Sequence, residues 1–121
     1  MKGNFPSFKN SKRYVGKGRM IMSATVQKYL KDYEKQWQTI PKDFLDLESN
    51  KFPIKIGFYF IRNSRHRFDF HNIIQGCADL MVKYNWLPDD NMDYFLPFPL
   101  EINGKFYEYN KENPGVIIKI L

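Results

Sequence analysis

Val26, Leu30, Tyr33 and Trp37 recur at the three-to-four-residue spacing of a helix and make one apolar face. Lys28, Lys31 and Lys35 occupy the polar side. Ser23 is placed to cap the start of this helix, and Pro41 is expected to end it. Residues 42–51, with Asp43, Asp46 and Glu48, read as a polar connection. From Ile54 the period changes to two. Ile54, Ile56, Phe58 and Phe60 point one way and Lys55, Gly57 and Tyr59 the other, which predicts a strand. The basic run RNSRHR at 62–67 follows as a loop. A second helix is expected from about Asn72, with Ile73, Cys77, Leu80, Met81 and Tyr84 on its apolar face and Trp86 and Pro88 closing it.

The last thirty residues read as β-rich. MDYFLPFPLEI is broken by Pro97 and Pro99, so it is at most an edge or bulged strand. Asn103–Gly104 is a hairpin-turn signal and NPG at 113–115 another turn. VIIKIL is expected to end the chain as a buried strand. Residues 1–20 are rich in Gly, Lys, Ser and Asn and read as a basic arm or irregular edge segment; GKG at 16–18 is too short to cradle a phosphate. The order predicts one compact α+β domain over residues 1–121, with a mixed or antiparallel sheet packed by two main helices.

Charge adds a direction. Residues 1–31 carry eight basic side chains and no acid, while the rest of the chain nets −2, giving +6 overall. A basic arm on a near-neutral body is the electrostatic footprint of a polyanion, nucleic acid above all. The alternative is a merely solvated face. Lys12, Arg13, Lys17 and Arg19 are the first candidates for contacts to a DNA backbone. No apolar run approaches the roughly 20 residues of a membrane span, and no signal-type apolar region follows the basic start. With the lone Cys77 unable to pair internally, these features point to a reducing cytoplasm. One Cys with His66 and His71 excludes a zinc knuckle.

Against this basic background, RFDFHNIIQGCADLMVKYNWLPDD at 67–90 sets Asp69, Asp79, Asp89 and Asp90 around one helix pattern. His71, Gln75 and Asp79 share a polar face at i, i+4 and i+8, with Asn72 beside them. If Asp69 met Asp89–Asp90, their mutual repulsion would call for a cation. Mg²⁺, an oxygen-seeking ion, suits such a set, and two such ions could drive phosphodiester hydrolysis. Otherwise Asp69 is a helix cap, and Asp89–Asp90 form a turn before a strand.

This stretch resembles the RusA-like Holliday-junction resolvases, small dimeric endonucleases of prophage and mobile-element origin. Their signature is a D-x-D-N motif, a Lys four residues after its second Asp, a further Asp on the helix and a D-D pair. Asp69 stands at the first Asp, Asn72 at the Asn, Asp79 at the helix Asp and Asp89–Asp90 at the pair, without a gap. PSFKNSKRYVGKGRMIMSATVQKYLKD is similar to the family's basic entry and Ser-Ala-capped helix, so the resemblance covers most of residues 6–95. It implies a RusA-like fold and a Mg²⁺-dependent homodimeric endonuclease, with Mn²⁺ an alternative ion. Such an enzyme resolves four-way DNA junctions in recombination and repair by paired cleavage. No small-molecule cofactor and no membrane enters.

By the same resemblance, Asp69, Asp90 and position 71 form the metal site with Asp89 supporting, and position 75 is catalytic. Asn72 and Asp79 stand behind them. Two positions depart: His71 replaces the second Asp, and Gln75 replaces the Lys. Imidazole suits Mn²⁺ or Zn²⁺ better than Mg²⁺, and Gln lacks the charge that steadies a phosphoryl transition state. Arg65, Arg67, Lys12 or Arg13 could supply that charge. The departures leave open a second reading, a catalytically silent junction-binding module. Arg65 and Arg67 are further DNA candidates, and His66 a phosphate contact. Cys77 is expected in the core, Trp37 and Trp86 in the core or a dimer interface. Only MKGNF precedes the Pro-Ser segment, so the family's first strand is expected to be absent or very short.

Overall fold

In a computed structural model describing residues 1–7, 12–15, 19–47 and 51–121, the chain opens with a hairpin of β1 (Lys12–Val15) and β2 (Arg19–Met22). Helix α1 (Ala24–Tyr33), a 3-10 turn (Glu34–Gln38) and the short helix α2 (Lys42–Leu45) follow. Then come β3 (Ile54–Arg62), α3 (Phe70–Lys83), β4 (Phe95–Pro99), β5 (Tyr107–Tyr109) and β6 (Gly115–Ile120). Among the described residues, no helix is long and apolar enough to cross a membrane.

Ser23 caps α1 as its sequence predicts, its side chain accepting from the Val26 N–H at 3.3 Å. The helix does not run to Pro41. It ends at Tyr33 and tightens into the 3-10 turn, which swings Trp37 fully into the core. There the Trp37 indole donates to the Tyr29 hydroxyl at 3.0 Å, and the Trp86 indole donates to the Trp37 carbonyl at 2.8 Å. Tyr29 rather than Tyr33 therefore fills the core position, and Tyr33 is left at the surface. The polar connection expected at 42–51 contains α2, which forms because Phe44 buries its ring against Trp86, centroids 5.2 Å apart. Both tryptophans are core residues, and so is Cys77.

β3 is the middle of a four-stranded mixed sheet. β4 pairs with its first half and β5 with its last three residues, both parallel, and β6 pairs antiparallel along Ile56–Ile61. A strand has two edges, so β4 and β5 share one end to end and β6 takes the other. Asn103 (φ 51°) and Gly104 (φ 79°) close the turn between Ile102 and Lys105, a brief excursion before the chain resumes its course as β5. Ile54, Ile56, Phe58 and Phe60 are buried, as the alternation predicts. Gly57 and Tyr59 are buried too, because Leu100 and Leu121 lie over Gly57 on the other face. β6 is not the buried strand expected of VIIKIL. It is an edge strand in which Val116 is buried while Ile117 is exposed, as is Leu121 just past its end.

The first residues are anchored rather than arm-like. The Lys2–Gly115 bridge, with Gly3 N–H donating to the Pro114 carbonyl, makes a minimal outer pairing beside β6. The Phe5 ring then lies wholly buried between Tyr29 and Trp37. α3 starts at Phe70, two residues before the sequence suggests, because Asp69 caps it.

Glu34 ties the 3-10 turn to the end of α3, accepting from Lys83 Nζ at 2.7 Å and from the Tyr84 hydroxyl. The Lys83 hydrogen bond, then that of Tyr84, holds the Glu34 carboxyl below its usual range. A depressed carboxyl stabilises the fold above its unfolded value of about 4.3 and loses that contribution as pH falls through the folded value. Lys83 is largely exposed, so the ion pair is screened. Glu34→Gln should cost roughly 0.5–1 kcal/mol at neutral pH and nothing measurable well below pH 4. Urea titrations of both proteins at the two pH values check this.

Candidate nucleic-acid interface

β3, α3 and β4 form a βαβ unit, with parallel strands side by side and the helix returning antiparallel between them. Residues 63–69 lie at the carboxyl end of β3, where open α/β sheets usually take their ligands. Residues 84–94 lie at the opposite end, where Ile54 N–H bonds the Tyr94 carbonyl.

Asp69 is exposed in the first of these loops. Its Oδ1 accepts from the His71 N–H at 2.9 Å, and its carbonyl receives the Asn72 and Ile73 N–H groups, so it is the N-cap of α3. His71, Gln75 and Asp79 are all exposed along the helix, as their spacing predicts. Asn72 turns inward instead. Its carbonyl accepts from Ser7 Oγ, and its Oδ1 is buried with no protein partner.

Asp89 and Asp90 lie past the other end of α3. Asp89 accepts from the Asp90 N–H at 2.8 Å and from the Asn91 side chain at 3.2 Å, folding the pair into a local turn. A fourteen-residue helix is about 20 Å long, and it separates this turn from Asp69. The expected meeting of Asp69 with Asp89–Asp90 therefore does not occur within one chain. Among the described residues no three His, Cys, Asp or Glu side chains gather closely enough to hold a metal ion. Among the described residues, one copy does not bring together Asp69 and Asp89–Asp90, the acids that the resemblance assigns to a Mg²⁺ or Mn²⁺ site.

What does gather at the carboxyl end of β3 is cationic and aromatic. Arg62 Nη1 donates to the Phe5 carbonyl at 3.1 Å, and its guanidinium lies 4.7 Å from the Phe68 ring centre. Burial pushes its pKa down, and its Nε is buried without a protein partner. Arg62 and Asn72, each with a buried polar atom lacking a protein partner, line one hollow of about 460 Å³ with Ser7, Arg67 and Asp69. Arg65 and His66 are exposed in the same loop, and the Arg65 guanidinium sits 4.4 Å from the Tyr109 ring centre.

The stretch KFYEY at 105–109 supplies what the sequence reading missed. Phe106, Tyr107 and Tyr109 are exposed and line, with Arg65, Lys105 and the half-buried Glu108, an adjoining groove of about 500 Å³. The one signal for them was the alternation of aromatic with charged residues just after the Asn103–Gly104 turn. Of the N-terminal candidates, Lys12 and Arg13 lie on β1 and Arg19 on β2, paired Lys12 to Met22, Arg13 to Ile21 and Val15 to Arg19. The irregular segment expected there is thus in part a hairpin. Lys17, with GKG, lies outside the described residues, as does Glu48. No protein-family model, curated protein or solved structure matches the chain.

Proposed function

We propose that the chain is a DNA-binding protein of RusA-like type, directed at branched DNA and without cleavage activity as a single copy. The observation that carries this reading is the division of charge about α3. Arg62, Arg65 and Arg67 outnumber the capping Asp69 at the carboxyl end of β3, beside the helix N-terminus, while Asp89–Asp90 stand at the other end. Positive side chains and helix N-terminal amides favour phosphate. Lys12 and Arg13 of β1 and Arg19 of β2, with Lys17 of the same basic segment, would extend that contact along a DNA arm.

One observation keeps cleavage in view. Asp69 and Asp90 mark opposite ends of one helix, so two copies related by a twofold axis crossing α3 would set Asp69 of one beside Asp90 of the other. In that pair the exposed Gln75 and Asp79 would lie near the axis, and His71 beside Asp69 at its end.

A synthetic four-way junction separates these readings, incubated in Mg²⁺ and separately in Mn²⁺ with the native protein, Asp69→Asn and Asp90→Asn. Salt-sensitive binding without nicks is the expected result. Paired nicks that vanish with either substitution would overturn silence in favour of the resolvase. Recovery of cutting on mixing the two variants would then assign one site to two copies. Absence of binding to any DNA would remove the proposal.

A further inference from the structure

Among the described residues nine large aromatics are buried, yet Phe106 and Tyr107 are each more than half exposed, at 55% and 56%, with Tyr109 beside them at 39%. Their exposure is built in by the pleat. Tyr107 and Tyr109 share one face of β5, whereas Glu108 points to the other and accepts from the Tyr59 hydroxyl at 3.1 Å. Glu108 still borders the groove, with its carboxylate engaged by the Tyr59 hydroxyl. The Tyr107 ring is fixed edge-on against Phe68, centroids 5.2 Å apart, so it is held in place rather than free to fold down. Arg65 is held over Tyr109, Lys105 shares the groove, and Arg67 lies in the hollow next to it.

We propose that Phe106, Tyr107 and Tyr109, with Arg65, Arg67 and Lys105, form a binding site for the unpaired bases of single-stranded nucleic acid. The site rests on the DNA-binding reading and deepens it by naming the part of the ligand it takes. Exposed aromatic faces interleaved with cations match the two needs of a single strand: a π-face for each base, and positive charge for the backbone between them. Side chains two apart on a strand are roughly 6.6 Å from one another, a spacing that an extended, unstacked strand can follow. A second copy of this chain is a poorer occupant, because the rim would bring Arg65, Arg67 and Lys105 against cations of the same kind. A paired duplex offers no free base face, so the site is selective for the open centre of a branch or for a single strand.

The test is fluorescence anisotropy with three ligands at one ionic strength: an oligothymidylate of about twelve nucleotides, an abasic strand of equal length, and a duplex. The native protein is expected to bind the oligothymidylate at least about tenfold more tightly than the abasic strand. Phe106→Ala with Tyr107→Ala should erase that preference, each lost base contact weakening binding by about fivefold or more, while duplex affinity stays unchanged. Tyr107→Phe should behave as native, since the ring and not the hydroxyl stacks. Circular dichroism confirms that the variants are folded.

Equal affinity for oligothymidylate and abasic strand, with duplex still bound, would overturn this site and leave the DNA-binding reading intact. No binding to any of the three would remove both. A concentration-dependent dimer that Tyr107→Ala dissociates would assign the surface to self-association and overturn the proposal.

Discussion

Trp37→Ala should destabilise the fold by about 4 kcal/mol, the scale of emptying a fully buried indole site. Trp37 has no exposure, its ring lies 5.7 Å from Phe5 and 5.3 Å from Trp86, and its N–H holds the Tyr29 hydroxyl. Truncation leaves a cavity that three rings from different parts of the chain border, and it removes one hydrogen-bond donor from a buried hydroxyl. Set against a total of about 5–15 kcal/mol for a small protein, such a loss takes much of the margin. Trp37→Phe keeps most of the volume and loses the hydrogen bond, so it should cost only about 1–2 kcal/mol. Urea unfolding of the three proteins gives the comparison. A loss under about 1 kcal/mol for alanine would mean that the 3-10 turn does not anchor the core.

Raising monovalent salt from about 50 to about 200 mM should weaken binding to a DNA junction by about a thousandfold. The estimate takes Lys12, Arg13, Lys17, Arg19, Arg65 and Arg67 as one phosphate contact each, which sets a log–log slope of about −5. These contacts read charge and not sequence, so junctions of different sequence should share the slope. Arg65→Ala with Arg67→Ala should reduce the slope by about two and weaken all sequences alike. Titrations at four or more salt concentrations measure it. A slope near zero would exclude phosphate as the dominant ligand of these side chains.

The features legible in the sequence were those written locally. Ser23 before an apolar stripe, the alternation at Ile54–Phe60, the apolar face of α3 and the Asn103–Gly104 turn each depend on neighbours within one turn or one strand. The break at Tyr33 was not legible, because Trp37 falls on the same stripe in an α-helix as in a helix that tightens beyond Tyr33. α2 is a single turn held by Phe44 against Trp86, a partner more than forty residues away that no periodicity reports.

For the candidate site, the residue types were visible but their meeting was not. Whether Asp69 and Asp89–Asp90 converge depends on the direction of β4 and on the rigid length of α3, both tertiary facts. β5 has three residues, too few to establish a period, so its aromatics carry no pattern in the sequence.

β3 has a consequence beyond placing the interface. Every other strand of its sheet pairs with β3, and none of them with another. The sheet has no substructure that could survive its departure: detach β3 and β4, β5 and β6 become three unconnected segments. The amides of Ile56–Phe60 are thus expected to exchange with solvent only through complete opening.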